Sequence, residues 1–483
     1  MKLLNRENTE LTEQLPLKII QFGEGNFLRG FADYIFDELN DKANFDAGVV
    51  VVKPRKGNLD VLKKQDGLYH LFTRGVEKGE VIDQKQLISC IQKCVVPHND
   101  YDAYLALAKI ETLQFLISNT TEAGIAFDER DTLRGYPHNS FPAKVTALLH
   151  ARFLHFKGAH DKGLTIIPCE LINNNADTLR EIILKYADLW SLEADFMEWV
   201  TKNNSFHNTL VDRIVPGYPK DTIEEYQSKL EFEDRLIVSG ELFLLWAIEG
   251  DEQLKQKIPF DKIQENVQIV NDLQPFRTRK VRILNGAHTT MVPFSILYGN
   301  ETVKETIDGN FTGKFVKNAI FDEINQSIDL PKKELDAFAE TVLDRFRNPF
   351  IKHQLASIAL NSISKFKVRV LPSLLAYEEK CNRLPIHLTF GLACLIRFYK
   401  GEWKGRELPV NDDETIVEKM NEIWKLKEHK KVAEATLQTM DFWGEDLSKI
   451  DGLVEKTGQA LQLMDAEGIE NGFKKFAADF ASA

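Results

Sequence analysis

The chain has 483 residues, of which 43% are hydrophobic and 28% charged; a single core usually stops growing near about 250–300 residues, so two globular domains are expected. Its 73 acidic residues against 61 Lys and Arg leave a formal charge of −12. Such a balance repels nucleic acid and anionic lipid, so neither is expected as a partner, and an anionic small molecule would need a local positive pocket.

In chain order, MKLLNRENTE is polar after Leu4 and carries no apolar stretch of the secretory kind. No apolar run approaches the roughly 20 residues that cross a bilayer. The five cysteines, Cys90, Cys94, Cys169, Cys381 and Cys394, are few and odd in number, which fits a reducing compartment. A cytoplasmic enzyme with no obligate protein partner is the expectation.

LKIIQFG (17–23) predicts a buried strand and NFLRGFADYIFDELN (26–40) a helix. AGVVVVKP (47–54), LQFLISN (113–119) and GLTIIPCEL (163–171) predict further buried strands. Continuous valine is what parallel strands favour. Strand–helix alternation predicts an α/β, Rossmann-type, doubly wound parallel sheet over residues 1–272. From about Arg277 the pattern turns helical, in KNAIFDEINQSI (317–328), IKHQLASIALNSISKF (351–366) and IHLTFGLACLIRFYKG (386–401). Residues 273–483 are therefore expected to form a mainly α-helical second domain, joined at NDLQPFRTRK (271–280).

The loop after the first strand, IIQFGEGNFLRG, holds Ile19, Ile20, Gln21, Phe22, Gly23, Glu24, Gly25, Asn26, Phe27, Leu28, Arg29 and Gly30. In a dinucleotide fold the first glycine permits a tight turn and the second lets backbone approach a pyrophosphate. The position of the usual third glycine is taken by Leu28. A plain strand-to-helix turn, or a loop for a methyl donor, has the same signature. After the second strand, where NAD-binding folds often carry an acid for the ribose, stand Lys53 and Arg55. Two cations there suit the 2′-phosphate of NADP, or are solvated, or meet pyrophosphate or substrate, so the residues alone leave NAD and NADP open.

Two groupings invite a metal and do not carry one. His150, His155 and His160 are five apart, and each step of five turns a helix by about 140°, so they share no face. Cys90 and Cys94 lack the second pair that a zinc site needs, and Cys169 sits on an apolar strand. No metal is expected.

KVRILNGAHTT (280–290) places Lys280, Asn285 and His288 close together. At about 100° per residue, Asn285 lies near 140° and His288 near 80° from Lys280, close enough to border one cleft. Carbonyl reduction needs a hydride donor, a proton donor and hydrogen bonds to the developing alkoxide. A lysine drawn toward neutrality by burial and by Arg277, Arg279 and Arg282 can supply the proton, and an asparagine amide the hydrogen bond. Standing alone, the same segment also reads as a solvated basic face that ends in an Asn-Gly turn.

The spacing K-x-R-x-x-N-x-x-H, with G-x-G-x-F-x-R near the N-terminus, resembles the mannitol dehydrogenase family of polyol-specific long-chain dehydrogenases. GVVVVKP, SNTTEAGI (118–125), IIPCELI (166–172), TLVDRIV (209–215) and RFRNPFIKHQL (345–355) follow in the family's order. The resemblance implies a Rossmann-type domain, a helical domain, an active site between them, and NAD(H)-dependent reduction of a small anionic keto-sugar acid without a metal. Neutral polyols or isomeric sugar acids are the alternative substrates. It further implies Lys280 as general acid/base, Asn285 and Asn175 as oxyanion donors, His288 as a substrate-orienting group and Glu122 as a proton relay. Lys365 would lie near substrate, with His353 and Arg347 as further substrate-binding candidates. Ser357 stands where polyol-specific members carry an arginine.

Overall fold

The computed structural model describes residues 1–121 and 123–481; Glu122 lies outside the described residues. The chain divides into two compact units, residues 1–74 with 81–273, and residues 75–80 with 274–483.

The first unit is built on six parallel strands: β1 (Leu17–Phe22), β2 (Gly48–Val52), β3 (Ile91–Val95), β4 (Phe115–Ser118), β5 (Thr165–Pro168) and β6 (Ser205–Phe206). Their spatial order is β3-β2-β1-β4-β5-β6, the Rossmann order. Side chains alternate along each strand, and the alternation divides them between two cores. Ile19, Val49, Val51, Phe115 and Ile117 pack with Ile35, Phe36 and Leu39 of helix Ala32–Ala43. Ile20, Phe22, Val50, Val52 and Leu116 pack with Val145, Leu148, Leu179 and Ile183 of helices Phe141–Phe156 and Asn175–Leu189. Helices on both faces leave every residue of β2 buried, which is why four consecutive valines are tolerated there.

The helix expected over 26–40 is interrupted. Asn26–Arg29 forms one short turn and Ala32–Ala43 a second helix, with Phe31 at φ −132°, ψ −80° between them. Gly30 lies at the break, where a Cβ would stand 3.0 Å from Val215 and 3.2 Å from Val238. A three-stranded sheet of Val238–Glu241, Tyr69–Glu77 and Glu80–Ile88 also has no counterpart in the sequence reading.

The second unit is helical. Phe294, Phe315, Phe390 and Phe473, from helices Gly286–Tyr298, Asn310–Asn318, Ile386–Phe398 and Leu453–Ala481, meet ring to ring at its centre. Two expectations need correction. Residues 351–366 do not form one helix: Leu355–Ile358 and Ser362–Arg369 are separated at Asn361, which takes φ 52°. The segment expected as one helix over 317–328 runs through a π-helix, Ala319–Ile324, into a 3-10 turn, Asn325–Ser327. Among the described residues no helix is long and apolar enough to cross a membrane.

Candidate active-site residues

In the first unit, the candidate side chains gather at the carboxyl ends of β1, β2, β4 and β5. The order of strands reverses between β1 and β4, and ligands of open α/β sheets bind at such a switch point. Gly23 turns the chain there at φ +126°, and a Cβ would stand 2.8 Å from the Asn119 carbonyl oxygen, so only glycine fits. Gly25 differs: nothing lies within 4 Å of where its Cβ would be. That open space leaves the backbone approachable by a bulky anion.

The rest of the loop braces this turn. Gln21 is buried and donates from Nε2 to the Gly23 carbonyl at 3.1 Å. Arg29 is buried too, donating to the Leu236 carbonyl at 2.7 Å and to Asn26 Oδ1 at 2.6 Å, with its guanidinium over the Tyr69 ring. Leu28 fills the core behind Gly23. Lys53 pairs with Glu24 of the loop, while Arg55 is exposed and touches Thr121. Of residues 19–30 and 53, Gly25 is exposed and Glu24, Asn26, Phe27 and Lys53 are half-buried, while Ile19, Ile20, Gln21, Phe22, Gly23, Leu28, Arg29 and Gly30 are buried behind them.

Asn175 is buried at the end of β5. Its amide donates to the carbonyls of Pro168 (3.0 Å) and Glu170 (3.1 Å) and to Thr209 Oγ1 (3.1 Å), and accepts from the Thr209 N–H at 3.0 Å. Its hydrogen bonds are therefore committed to the fold. Glu170, which no sequence signal singled out, is nearly as buried, and it accepts from Ser118 Oγ and from Thr120 N and Oγ1. Burial pushes its pKa up against those hydrogen bonds.

In the second unit, the helix Gln274–Arg279 passes into a π-helical stretch, Lys280–Asn285, before the helix Gly286–Tyr298 begins. The angles expected from a regular α-helix are corrected by this. A π-turn advances by roughly 80° per residue, which brings Asn285 from about 140° to within about 50° of Lys280 and His288 into nearly the same line. The three share a narrower face than the α-helical wheel gives.

His288 is enclosed by Phe346 (4.3 Å between ring centres) and His353 (5.0 Å), and its Nε2 is buried without a hydrogen-bond partner. Burial holds its pKa well below the usual imidazole range, helped by His353, Arg345, Arg369 and Lys365. It is therefore a neutral imidazole with a spare nitrogen. Arg282 donates to Ser373 Oγ at 2.5 Å and Ser327 Oγ at 3.0 Å, and burial lowers its pKa to about 10. Lys365 donates to the Ile358 carbonyl at 2.9 Å; burial and then Arg369 lower its pKa against the pull of Asp412. Burial, then Arg345, lowers that of His353. Arg347 is placed otherwise, between Asp344 (3.5 Å) and Asp308 (4.0 Å). The sequence reading passed over Arg369 and Arg345, because one basic residue in an amphipathic helix looks like any other until its surroundings are known.

Comparison with known proteins follows the same division. Residues 17–262 match the mannitol dehydrogenase Rossmann domain and residues 272–465 the mannitol dehydrogenase C-terminal domain. The chain is 44% identical to the altronate oxidoreductase of Yersinia enterocolitica, with all of both chains covered. It is 43% identical to that of Bacillus subtilis, covering 99% of this chain and 98% of the relative. Among solved structures, D-sorbitol dehydrogenase in substrate-free form has a TM-score of 0.81 at 20% identity, covering 98% of this chain and 100% of that one. Pseudomonas fluorescens mannitol 2-dehydrogenase, in ternary complex with NAD and D-mannitol, has 0.66 at 20%, covering 99% and 100%. At that identity the two structures support the fold.

Proposed function

Because this chain belongs to the mannitol dehydrogenase family and so is an oxidoreductase acting on CH–OH groups, we propose that it reduces D-tagaturonate reversibly to D-altronate with NAD(H). The observation that carries the sugar-acid reading is the His288 imidazole, held neutral by burial and acted on by the cationic Arg369 and Lys365. Near-complete coverage of relatives named altronate oxidoreductase supports the same substrate. Neutral polyols give no reason for such a charge balance.

The loop of Gly23 and Gly25 fits a dinucleotide: one glycine makes the turn, the other leaves backbone open to a pyrophosphate. A bound nicotinamide coenzyme supplies the hydride. The chain's own groups handle the proton and the alkoxide. Lys280, as ammonium, gives its proton to the oxygen of the carbonyl beside the terminal hydroxymethyl group, and in the reverse direction the free amine takes it back. Asn285 donates an amide N–H to the developing alkoxide; its side chain makes no hydrogen bond with a described residue that would compete. His288, held neutral, offers its spare Nε2 to a substrate hydroxyl.

The test is NADH oxidation by the purified protein across D-tagaturonate, D-fructuronate and D-fructose, repeated with NADPH. D-Tagaturonate with NADH should give the highest kcat/KM, and equal rates with fructose would refute the sugar-acid reading. Lys280→Ala should lose turnover by about 100-fold or more while NADH binding persists, since one positioned proton donor contributes roughly that much; retained turnover would remove the lysine from its role.

A further inference from the structure

We infer that Arg369, with Lys365 one helical turn before it, holds the carboxylate of the sugar-acid substrate. The inference rests on the proposed function and goes further by naming the group that reads the acid.

Three observations on the second unit lead to it. The first is position. The helix Ser362–Arg369 ends against Gly286, which directly follows Asn285: a Cβ at Gly286 would stand 3.0 Å from the Arg369 carbonyl oxygen. Lys365 and Arg369 are four apart and so lie on one face of that helix.

The second is an empty hand. The Arg369 guanidinium is half-buried, yet it makes no hydrogen bond or ion pair with any described residue. Arg282 is occupied by Ser373 and Ser327, and Arg397 by Asp465 and the Glu402 carbonyl, while Arg279, whose Nε also has no hydrogen-bond partner, is packed over the rings of Phe276 and Phe338. Arg347 has Asp344 and Asp308. A guanidinium drawn out of water without compensation is costly, and a planar carboxylate accepting two parallel N–H bonds matches its fork.

The third is the surrounding field. Arg369 and Lys365 both act on His288, and on Lys365 the opposing charge among the described residues is Asp412, whose carboxylate already accepts the Tyr399 hydroxyl. An anion entering beside His288 would offset this excess. Its carboxylate would take Arg369 and Lys365, and its hydroxyls would be left to His288 Nε2.

The experiment compares the full-length wild type with Arg369→Gln and Arg369→Lys. Its probes are NADH, D-tagaturonate and D-tagatose, the neutral ketose that has hydroxymethyl in place of the carboxylate, used as substrate or as competitive inhibitor. Arg369→Gln should raise KM for D-tagaturonate roughly 10- to 100-fold, the range of a lost charged hydrogen bond, with kcat within a few-fold. The constant for D-tagatose and the Kd for NADH should not change. Arg369→Lys keeps charge and stem and should fall between wild type and glutamine; it provides the readout should the glutamine variant fail to fold. An unchanged KM, an equal loss on both ketoses, or weakened NADH binding would overturn the inference, the last by moving the cations to the coenzyme. A wild type inert on ketohexuronates would instead refute the proposed function.

Discussion

At the scale of single residues, the glycine loop shows how a side chain can mislead until its partner is known. Lys53 ends β2 where a ribose-binding acid often stands, and alone it suggests a 2′-phosphate. In the fold its ammonium is taken by Glu24 of the glycine loop. Its stem lies over Gly57, where a Cβ would come 2.6 Å from Lys53 Cε, so the lysine is held in that direction. The pair offers the coenzyme a neutralised lysine beside a carboxylate, which favours the ribose hydroxyls of NAD(H) over a phosphate. Glu24→Gln should release the lysine and raise the NADPH-to-NADH ratio of kcat/KM by roughly tenfold, within the reach of one partly exposed charge. Initial rates with the two coenzymes measure it; an unchanged ratio would mean that Lys53 does not face the 2′ position.

At the scale of elements, much of the first unit was legible because its signals are local. Valine runs, alternating helices and a glycine turn give the sheet and its switch point from short stretches. The π-helical stretch Lys280–Asn285 was not legible, since one extra residue in a turn leaves the composition and the apolar spacing almost unchanged. Its effect is to bring Asn285 round toward Lys280. The break in 351–366 was also hidden: Asn361 reads as an ordinary polar residue, and only the left-handed backbone at φ 52° shows that a new helix starts there and carries Lys365 and Arg369. Gly286 joins the two elements. Alanine is worth roughly 1 kcal/mol more than glycine inside a helix, but its Cβ would press on the Arg369 carbonyl at 3.0 Å. Because that contact is backbone rather than a flexible side-chain tip, helix Ser362–Arg369 has to shift. Gly286→Ala should therefore raise KM for D-tagaturonate several-fold with little change in Tm. Steady-state kinetics beside a thermal melt separate this from simple destabilisation, and an unaltered KM would show that the helix yields without moving Arg369.

At the scale of the whole molecule, stability depends on how many ionisable groups the fold buries away from their preferred state. Asp33 is fully buried beneath the glycine loop, near Gln21 and the Tyr69 hydroxyl, and burial raises its carboxyl to about 7 despite hydrogen bonds from both. The unfolded chain loses this proton near the ordinary value of about 4, whereas the folded chain keeps it until about pH 7. Folding therefore becomes less favourable as pH rises from about 4 to about 7, and above that the cost stays constant. The histidines act in the opposite direction: burial lowers His138, His207 and His288, so the unfolded chain takes up protons first as pH falls below about 6.5 and stability drops on the acid side. Asparagine at position 33 keeps the shape and one acceptor oxygen but has no proton to lose. Asp33→Asn should leave the melting temperature nearly unchanged at pH 4 and raise it by a few degrees or more at pH 8, the gap opening between those values and then levelling; a shift of about three pKa units corresponds to roughly 4 kcal/mol at most. Thermal melts of both proteins from pH 4 to 9 measure the gap. A gap that is constant with pH would mean that Asp33 folds as a carboxylate, and that Gln21, Tyr69 and the neighbouring Arg29 outweigh the loss of water.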